Sequence, residues 1–264
     1  MEQIKYYMAP MEGVTGYVYR NAYAKYYGGI ERYFTPFVAN KKLGHREKND
    51  VCPEHNAGMT VIPQILTNHA EDFLAIAEIL REYGYDTVNL NLGCPSGTVA
   101  ARGRGAGFLA MPDELDHFLE EIFEKCPLRI SIKTRIGKEN PAEWERLLAI
   151  YEKYPLEELI VHPRVQTDFY KNRVNLEAFA RAEKNSRHSL CYNGDIVDAA
   201  SAAHIREGFP SVDKFMIGRG LIRHPWLLER QTGKAGAKRA VFPVSQCDPG
   251  GIPAADVRGQ KYLI

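Results

Sequence analysis

The sequence predicts an α/β fold of the (β/α)8, or TIM-barrel, class, and three observations predict it. Short apolar runs with strand alternation are followed by amphipathic helical runs eight times along the chain. The residues able to do chemistry fall at the C-terminal ends of those strands: Met11, Gln64, Asn91, Lys133, His162, Asn193 and Arg219. That is the face on which barrel active sites form. The seventh and eighth strands both run into glycine loops, Asn193-Gly194-Asp195-Ile196 and Ile217-Gly218-Arg219-Gly220, where barrels commonly hold a phosphate. A doubly wound sheet is the alternative, but it usually has fewer strand–helix units.

The first strand is Ile4 to Ala9, ending in Pro10-Met11-Glu12-Gly13, with a helix near Tyr17 to Tyr27. The second is Arg32 to Val38, followed by a loop rich in Lys, His and Asn. The third is Thr60 to Ile65. Pro63 within it is awkward for a central strand, because proline cannot donate a ladder hydrogen bond. The helix Ala70 to Tyr83 carries an apolar stripe of Phe73, Leu74, Ile76, Ala77 and Leu80. Asn68 is expected in its N-cap region and Gly84 at its end. The fourth strand, Thr87 to Leu92, breaks into Gly93-Cys94-Pro95 and a glycine-rich loop with Arg102 and Arg104. The helix after it starts at Pro112-Asp113-Glu114 and places Leu115, Phe118, Leu119, Ile122 and Phe123 on one face. The remaining units are strand Leu128–Arg135 with helix Pro141–Tyr154, strand Glu158–His162 with helix Asn175–Lys184, strand Ser189–Asn193 with helix Val197–Glu207, and strand Lys214–Gly218.

The 264 residues suit one large α/β domain or two small ones. With 45% hydrophobic and 25% charged residues the composition is that of a soluble globular protein. The net charge of +1, from 34 basic and 33 acidic residues, gives no global basic field, so a nucleic-acid surface would have to be local. No apolar h-region opens the chain and no apolar run is long enough for a bilayer, so neither a signal peptide nor a membrane partner is expected. The five cysteines are odd in number and lack CxxC spacing, which argues against a metal ribbon or a redox pair and fits a reducing cytoplasm. No GxGxxG follows a strand, and neither a P-loop nor HExxH occurs, leaving a Rossmann dinucleotide site, ATP chemistry and zinc proteolysis unsupported.

Cys94 stands where a buried strand meets a glycine-rich loop, and Pro95 keeps its backbone extended. A small core cysteine is the ordinary alternative, but the flanking Asn91, Gly93 and Pro95 and the basic loop favour function. Lys133 ends a buried strand, where an unpaired ammonium is costly. Either it snorkels out or pairs with an acid, or it meets a ligand with an anionic edge, such as a flavin N1–O2 locus. His162 and Gln64 each serve equally as satisfied core residues or as ligands of a ring. The glycine loops after strands seven and eight are ordinary left-handed turns when taken singly; as a pair they favour phosphate.

The motifs MAPMEGVT, NLNLGCPSGTVAARGRGAG, IKTRIG, VHPR, NGDI and MIGRGLIRHPWL, with Gln64 between the first two, occur in this order. Together they resemble the tRNA-dihydrouridine synthase family of FMN-dependent barrel enzymes over about residues 4 to 230. The resemblance implies reduction of a uracil carbon 5–carbon 6 double bond in tRNA, with NADPH or NADH recharging the flavin. It implies that Cys94 protonates carbon 5 and that Asn91 orients the uracil. Pro10, Met11, Glu12 and Gln64 would border the isoalloxazine, and Lys133 would face its N1–O2 edge. His162, Asn193, Gly194, Asp195, Gly218 and Arg219 would hold the cofactor and its phosphate. Arg102, Arg104 and Arg164 are candidate substrate contacts. A thiol of ordinary pKa is mostly protonated at neutral pH, as an acid must be. A cytoplasmic monomer without a metal is expected.

Two departures stand out. Val165 follows the His-x-Arg triplet where family members often have threonine. The resemblance also implies a C-terminal helical domain, whereas residues 231–264 are rich in Pro and Gly without a helical period. The barrel is therefore expected to span 1–230, with an irregular tail over 231–264 that is truncated or non-native. Trp226-Leu227-Leu228 would then be poorly covered. The alternative functions are a catalytically weak flavin- or RNA-binding remnant, or an FMN barrel acting on a free pyrimidine.

Overall fold

The computed structural model describes residues 4–229. Its centre is a closed, all-parallel barrel of β1 (Lys5–Met8), β2 (Arg32–Val38), β3 (Val61–Ile65), β4 (Thr87–Leu92), β5 (Arg129–Arg135), β6 (Leu159–His162), β7 (Leu190–Tyr192) and β8 (Lys214–Ile217). The strands pair in sequence order, and β8 closes onto β1 from Lys5↔Lys214 to Met8↔Ile217. The connecting helices are α1 (Tyr17–Tyr26), α2 (His45–Val51), α3 (Ala70–Glu82), α4 (Gly97–Ala100), α5 (Pro112–Lys125), α6 (Glu143–Tyr151), α7 (Leu176–Asn185), α8 (Ala199–Gly208) and α9 (Arg219–Arg223). The expected (β/α)8 barrel is thus present, with most elements trimmed at their ends.

Strand alternation divides the apolar side chains between two cores. Outward-facing residues such as Met8, Leu90, Leu92, Ile132 and Ile217 join the helix stripes in one large cluster. Inward-facing Tyr7, Ala9, Phe34, Ile62, Ile160, Cys191 and Met216 form a second cluster inside the barrel. The helices begin and end where local chemistry dictates. Pro112 opens α5, with Asp113 and Glu114 in its positive first turn. The Asn175 side chain accepts the Ala178 N–H at 2.9 Å to start α7, and Gly84, at φ +87°, turns the chain after α3.

Four expectations need correction. The loop after β2 contains α2, whose Asp50 accepts the Tyr17 N–H at 2.6 Å and so caps α1 from across the fold. Arg20 is buried between the two, donating to Thr15 O, Asp50 O and Asn56 Oδ1. Pro63 is accommodated in β3 because β2 carries a bulge opposite it, between Phe34 and Phe37. The Gln64 N–H is taken by Thr35 Oγ1 at 3.1 Å. Asn68 does not cap α3; its side chain donates to Arg102 O and accepts from Arg104 Nε, tying down the glycine-rich loop. Leu227 and Leu228 are buried, Leu228 against Gly29, and only Trp226 of that trio is exposed. The tail expected over 231–264 lies outside the described residues.

Candidate active site

The C-terminal ends of the strands form one mouth, floored by amides. Asn89 and Asn91, inward-facing on β4, register against Ser131 and Lys133 of β5. A continuous relay links three strands: Asn91 Nδ2 donates to Gln64 Oε1 at 2.7 Å, Gln64 Nε2 to Asn89 Oδ1 at 2.7 Å, and Asn89 Nδ2 to Ser131 Oγ at 2.9 Å. Its end is the Asn91 carbonyl oxygen, which accepts the Gly93 N–H at 3.0 Å and the Cys94 N–H at 2.9 Å. Buried amides linked in this way fix one arrangement of the loop they hold, and each keeps one further N–H. The glycine-rich run folds back as α4 and a 3-10 turn, with Ala106 N donating to Cys94 O at 3.1 Å. Gly105 is needed there: its φ is +56°, and a Cβ would lie 2.9 Å from the Cys94 carbonyl.

Cys94 is half-buried, and burial raises its thiol pKa against the opposing pull of Arg135 and Lys133; the nearby Glu12 carboxylate adds to the rise. Lys133 shares the register of Asn91 on the neighbouring strand, near enough to Cys94 and Cys191 for each to act on its charge. Burial, then Arg135, lowers its pKa to about 8. His162 is buried, and burial followed by Arg135 and Lys133 keeps it well below the usual imidazole range. The neutral ring accepts from Arg164 Nη1 at 3.0 Å through Nε2, which leaves the proton on Nδ1. Met11 reaches its loop partners through Thr15, whose hydroxyl accepts the Met11 N–H at 2.8 Å. Pro10 is half-buried beside it, and Glu12 is ion-paired with Arg46 of α2.

The glycine loops after β7 and β8 make the opposite rim. Their glycines are not left-handed turns; Gly218 has φ −106°, and Gly194 and Gly220 serve close approach. A Cβ on Gly194 would come 2.2 Å from Tyr192 Oη, and one on Gly220 would come 2.2 Å from Ile196 O. Asp195 gathers the cations of this rim, accepting from both Arg164 guanidinium ends and from Arg219 Nη2 at 2.8 Å. Arg164 is buried and gives its Nε to Asn172 O at 2.6 Å, so any contact of Arg164 with substrate would have to coexist with these bonds. Arg219 is one-third exposed and keeps further N–H donors. Asn193 braces the rim through Met216 O at 2.9 Å. The hydroxyl of Tyr192 is buried with no hydrogen-bond partner among the described residues. At the outer edge Arg102 is exposed and Arg104 half-buried.

Two residues beyond the sequence expectations belong to this mouth. Arg135, fully buried, donates to Gly93 O at 3.0 Å, Val165 O at 2.8 Å and Phe169 O at 2.7 Å, joining the Cys94 loop to the loop after β6. It lies two residues beyond Lys133, so strand alternation was the available signal. The Tyr170 ring lies 6.0 Å from His162, under Arg135 at 5.3 Å and Arg219 at 4.9 Å; an exposed loop tyrosine gives no sequence signal.

Among the described residues no group of three or more His, Cys, Asp or Glu is placed to hold a metal ion. No helix among them is long and apolar enough to cross a membrane. The barrel resembles morphinone reductase, with TM-score 0.61 and 15% identity over 89% of this chain and 87% of that one. It also resembles a variant of NCR from Zymomonas mobilis, with TM-score 0.57 and 14% identity over 89% and 88%. At that identity the likeness concerns the fold. In sequence the chain is 26% identical to tRNA-dihydrouridine synthase B of Pasteurella multocida, over 84% of this chain and 67% of the relative. It is also 26% identical to probable tRNA-dihydrouridine synthase 2 of Bacillus subtilis, over 88% and 73%. The family profile described as Dihydrouridine synthase (Dus) matches residues 7–248, and with the barrel and its Cys94 mouth in place the chain belongs to the dihydrouridine synthase family.

Proposed function

We propose that the chain reduces the carbon 5–carbon 6 double bond of a uridine in tRNA to dihydrouridine, using FMN recharged by NADPH or NADH. The observation that carries the proposal is Cys94. Its thiol is kept protonated by burial, its backbone is fixed by Asn91, and Lys133 and Arg135 stand close enough to act on its charge. Family membership and the names of the two relatives support the reaction. A cytoplasmic monomer with tRNA as its partner completes this reading.

The residues at the mouth fit a phosphate-bearing flavin. Lys133 has no acid hydrogen-bonded to it among the described residues and would face an anionic ring edge. Neutral His162 offers an Nδ1–H, and Gln64, Pro10, Met11 and Glu12 would border the ring. The spare donors of Arg219, the loops at Asn193, Gly194, Asp195 and Gly218, and the orphan Tyr192 hydroxyl suit a phosphate. Reduced flavin, when bound, supplies hydride to carbon 6. Cys94 gives its proton to carbon 5 as electron density builds there, and the thiolate left behind regains a proton from solvent. Lys133 and Arg135 lower the cost of that transient anion. Asn91 holds the Cys94 loop still and would orient the uracil with its remaining amide N–H. Arg102 and Arg104 would meet the polynucleotide, whereas Arg164, buried and bonded to Asp195, His162 and Asn172, would serve the substrate by bracing the rim rather than by touching it.

The test is a visible spectrum of the purified protein followed by assay of Cys94→Ala. The variant should bind FMN and accept hydride from NADPH, while its reduction of tRNA uridine slows by roughly 10²-fold or more. A folded, colourless protein that FMN cannot reconstitute would falsify the flavoenzyme reading. Wild-type uridine reduction by Cys94→Ala would remove the acid role.

A further inference from the structure

The loop between β6 and α7 carries a strained residue that the reaction above does not use. Phe169 is the one non-glycine residue with positive φ among those described, at +49°. Such a backbone is unfavourable for a bulky side chain and persists only where its surroundings enforce it. Here they do. Arg135 Nη2 holds the Phe169 carbonyl at 2.7 Å, and the Phe169 N–H donates to Gln166 O at 3.1 Å. Gln166 N and Thr167 N donate to Gly137 O and Lys138 O. Gln166 Nε2 donates to Pro95 O at 3.1 Å, so the loop is bolted to the residue that follows Cys94.

What this strain presents is an aromatic ring to solvent. Phe169 is 43% exposed and Tyr170 beside it 47%. Tyr170 is held by two guanidinium groups and His162, whereas Phe169 has no ring partner among the described residues. Lys171 and Arg173 follow, both exposed, and neither has an acid partner among the described residues. The nearby Asp168 carboxylate is occupied by Val165 N and Asn172 Nδ2. A projecting ring flanked by uncompensated cations has the chemistry of a single-stranded nucleic-acid contact, with base stacking for the ring and phosphates for the cations. A protein partner would use the ring but gives less reason for the adjoining free cations.

We infer that Phe169 is a substrate-positioning residue whose ring stacks on a base of the RNA next to the uridine delivered to Cys94, while Lys171 and Arg173 bind the adjoining phosphates. The inference rests on the tRNA-reducing activity proposed above. It assigns the strain at Phe169 to holding the ring outward, at a place where glycine would have been the relaxed choice.

The experiment compares tRNA affinity of the flavin-loaded wild type with Phe169→Gly, Phe169→Asn and Phe169→Trp across a salt series. Glycine and asparagine both tolerate positive φ, so the loop is kept while the ring is lost. Either should weaken tRNA binding by about tenfold or more with the slope of log affinity against log salt unchanged, because no charge is removed. Phe169→Trp should bind like wild type. Lys171→Ala with Arg173→Ala should instead reduce the salt slope by about two. Flavin content and NADPH oxidation should stay at wild-type levels throughout. Wild-type tRNA affinity in folded Phe169→Gly and Phe169→Asn would overturn the inference, as would loss of flavin with tRNA affinity retained, which would make the ring a cover for the cofactor. Failure of the wild type to hold FMN would sink the flavoenzyme reading separately, since RNA affinity is measured without turnover.

Discussion

Lys133 and Cys94 are perturbed by the same surroundings in opposite directions. Burial disfavours the charged form of each, so the lysine pKa falls to about 8 while that of the thiol rises. At neutral pH the pair is therefore ammonium and thiol, the forms an anionic ring edge and a proton donor require. The sign of the pH dependence follows. The free protein loses the Lys133 proton near pH 8, whereas a bound anionic edge raises that pKa, so flavin affinity is complete below pH 8 and declines above it. Titrating FMN between pH 6 and 10 should show Kd climbing up to about tenfold per pH unit beyond 8. Lys133→Met should bind more weakly with a flatter profile. A wild-type Kd that stays constant to pH 10 would remove Lys133 from the flavin site. Lys133 was legible in the sequence because an ammonium ending an apolar strand demands an explanation. Arg135 needed the same alternation carried two residues further, and Tyr170 was out of reach because its neighbours come from three separate elements, β5, β6 and α9.

Among the elements, the two sides of the mouth are stiff for different reasons, and each can be probed. On the β3–β4 side, truncating Asn91 to Ala would leave the Gly93 and Cys94 N–H groups and Gln64 Oε1 without their partner. Each buried group so orphaned costs roughly 1–3 kcal/mol. Thermal unfolding should register a clear loss, and uridine reduction should fall more than NADPH oxidation, because the displaced group is the Cys94 loop. An equal fall in both rates would argue against a positioning role. On the β7–β8 side, Gly194→Ala drives a methyl group into Tyr192 Oη. The Tyr192 ring cannot swing aside easily, being packed edge-on against Phe179 at 5.0 Å. FMN affinity should drop and stability should fall by roughly 1–3 kcal/mol; unchanged values of both would show that the rim is soft. The strands were legible because alternation survives in each of them. The helix α2 was not, because HREKNDV offers a single apolar residue, Val51, and its other anchors are polar, Asp50 to α1 and Glu47 to Ala39 N and Gly44 N. Pro63 looked wrong in isolation because its compensation, the bulge in β2, lies on another strand.

At the scale of the whole barrel, the mouth is matched at the opposite end by a buried acid that limits stability. Glu158 immediately precedes β6 and is 1% exposed. One of its oxygens accepts from Tyr7 Oη at 3.0 Å, Arg32 lies 3.9 Å away, and the other oxygen has no hydrogen-bond partner among the described residues. Burial, only partly offset by Arg32, Tyr7 and Lys214, raises the Glu158 pKa to about 7. The folded state therefore holds this proton up to about pH 7, whereas an unfolded chain releases it near the ordinary glutamate value of about 4.3. Between those values the folded protein binds more protons, so stability falls as pH rises, and above about pH 7 the loss is complete. The linkage is worth on the order of 4 kcal/mol at most, at about 1.4 kcal/mol per pKa unit. Glu158→Gln keeps an acceptor for Tyr7 and cannot ionise. Chemical denaturation of the variant should show a shallower decline between pH 5 and 7 than wild type, and the two curves should run parallel above pH 7.5. At pH 8 the variant should be the more stable, because it no longer holds a buried carboxylate with an unpaired oxygen. Parallel curves from pH 5 to 8 would mean that Glu158 is ionised throughout, with Arg32 supplying more of its stabilisation than a separation of 3.9 Å implies.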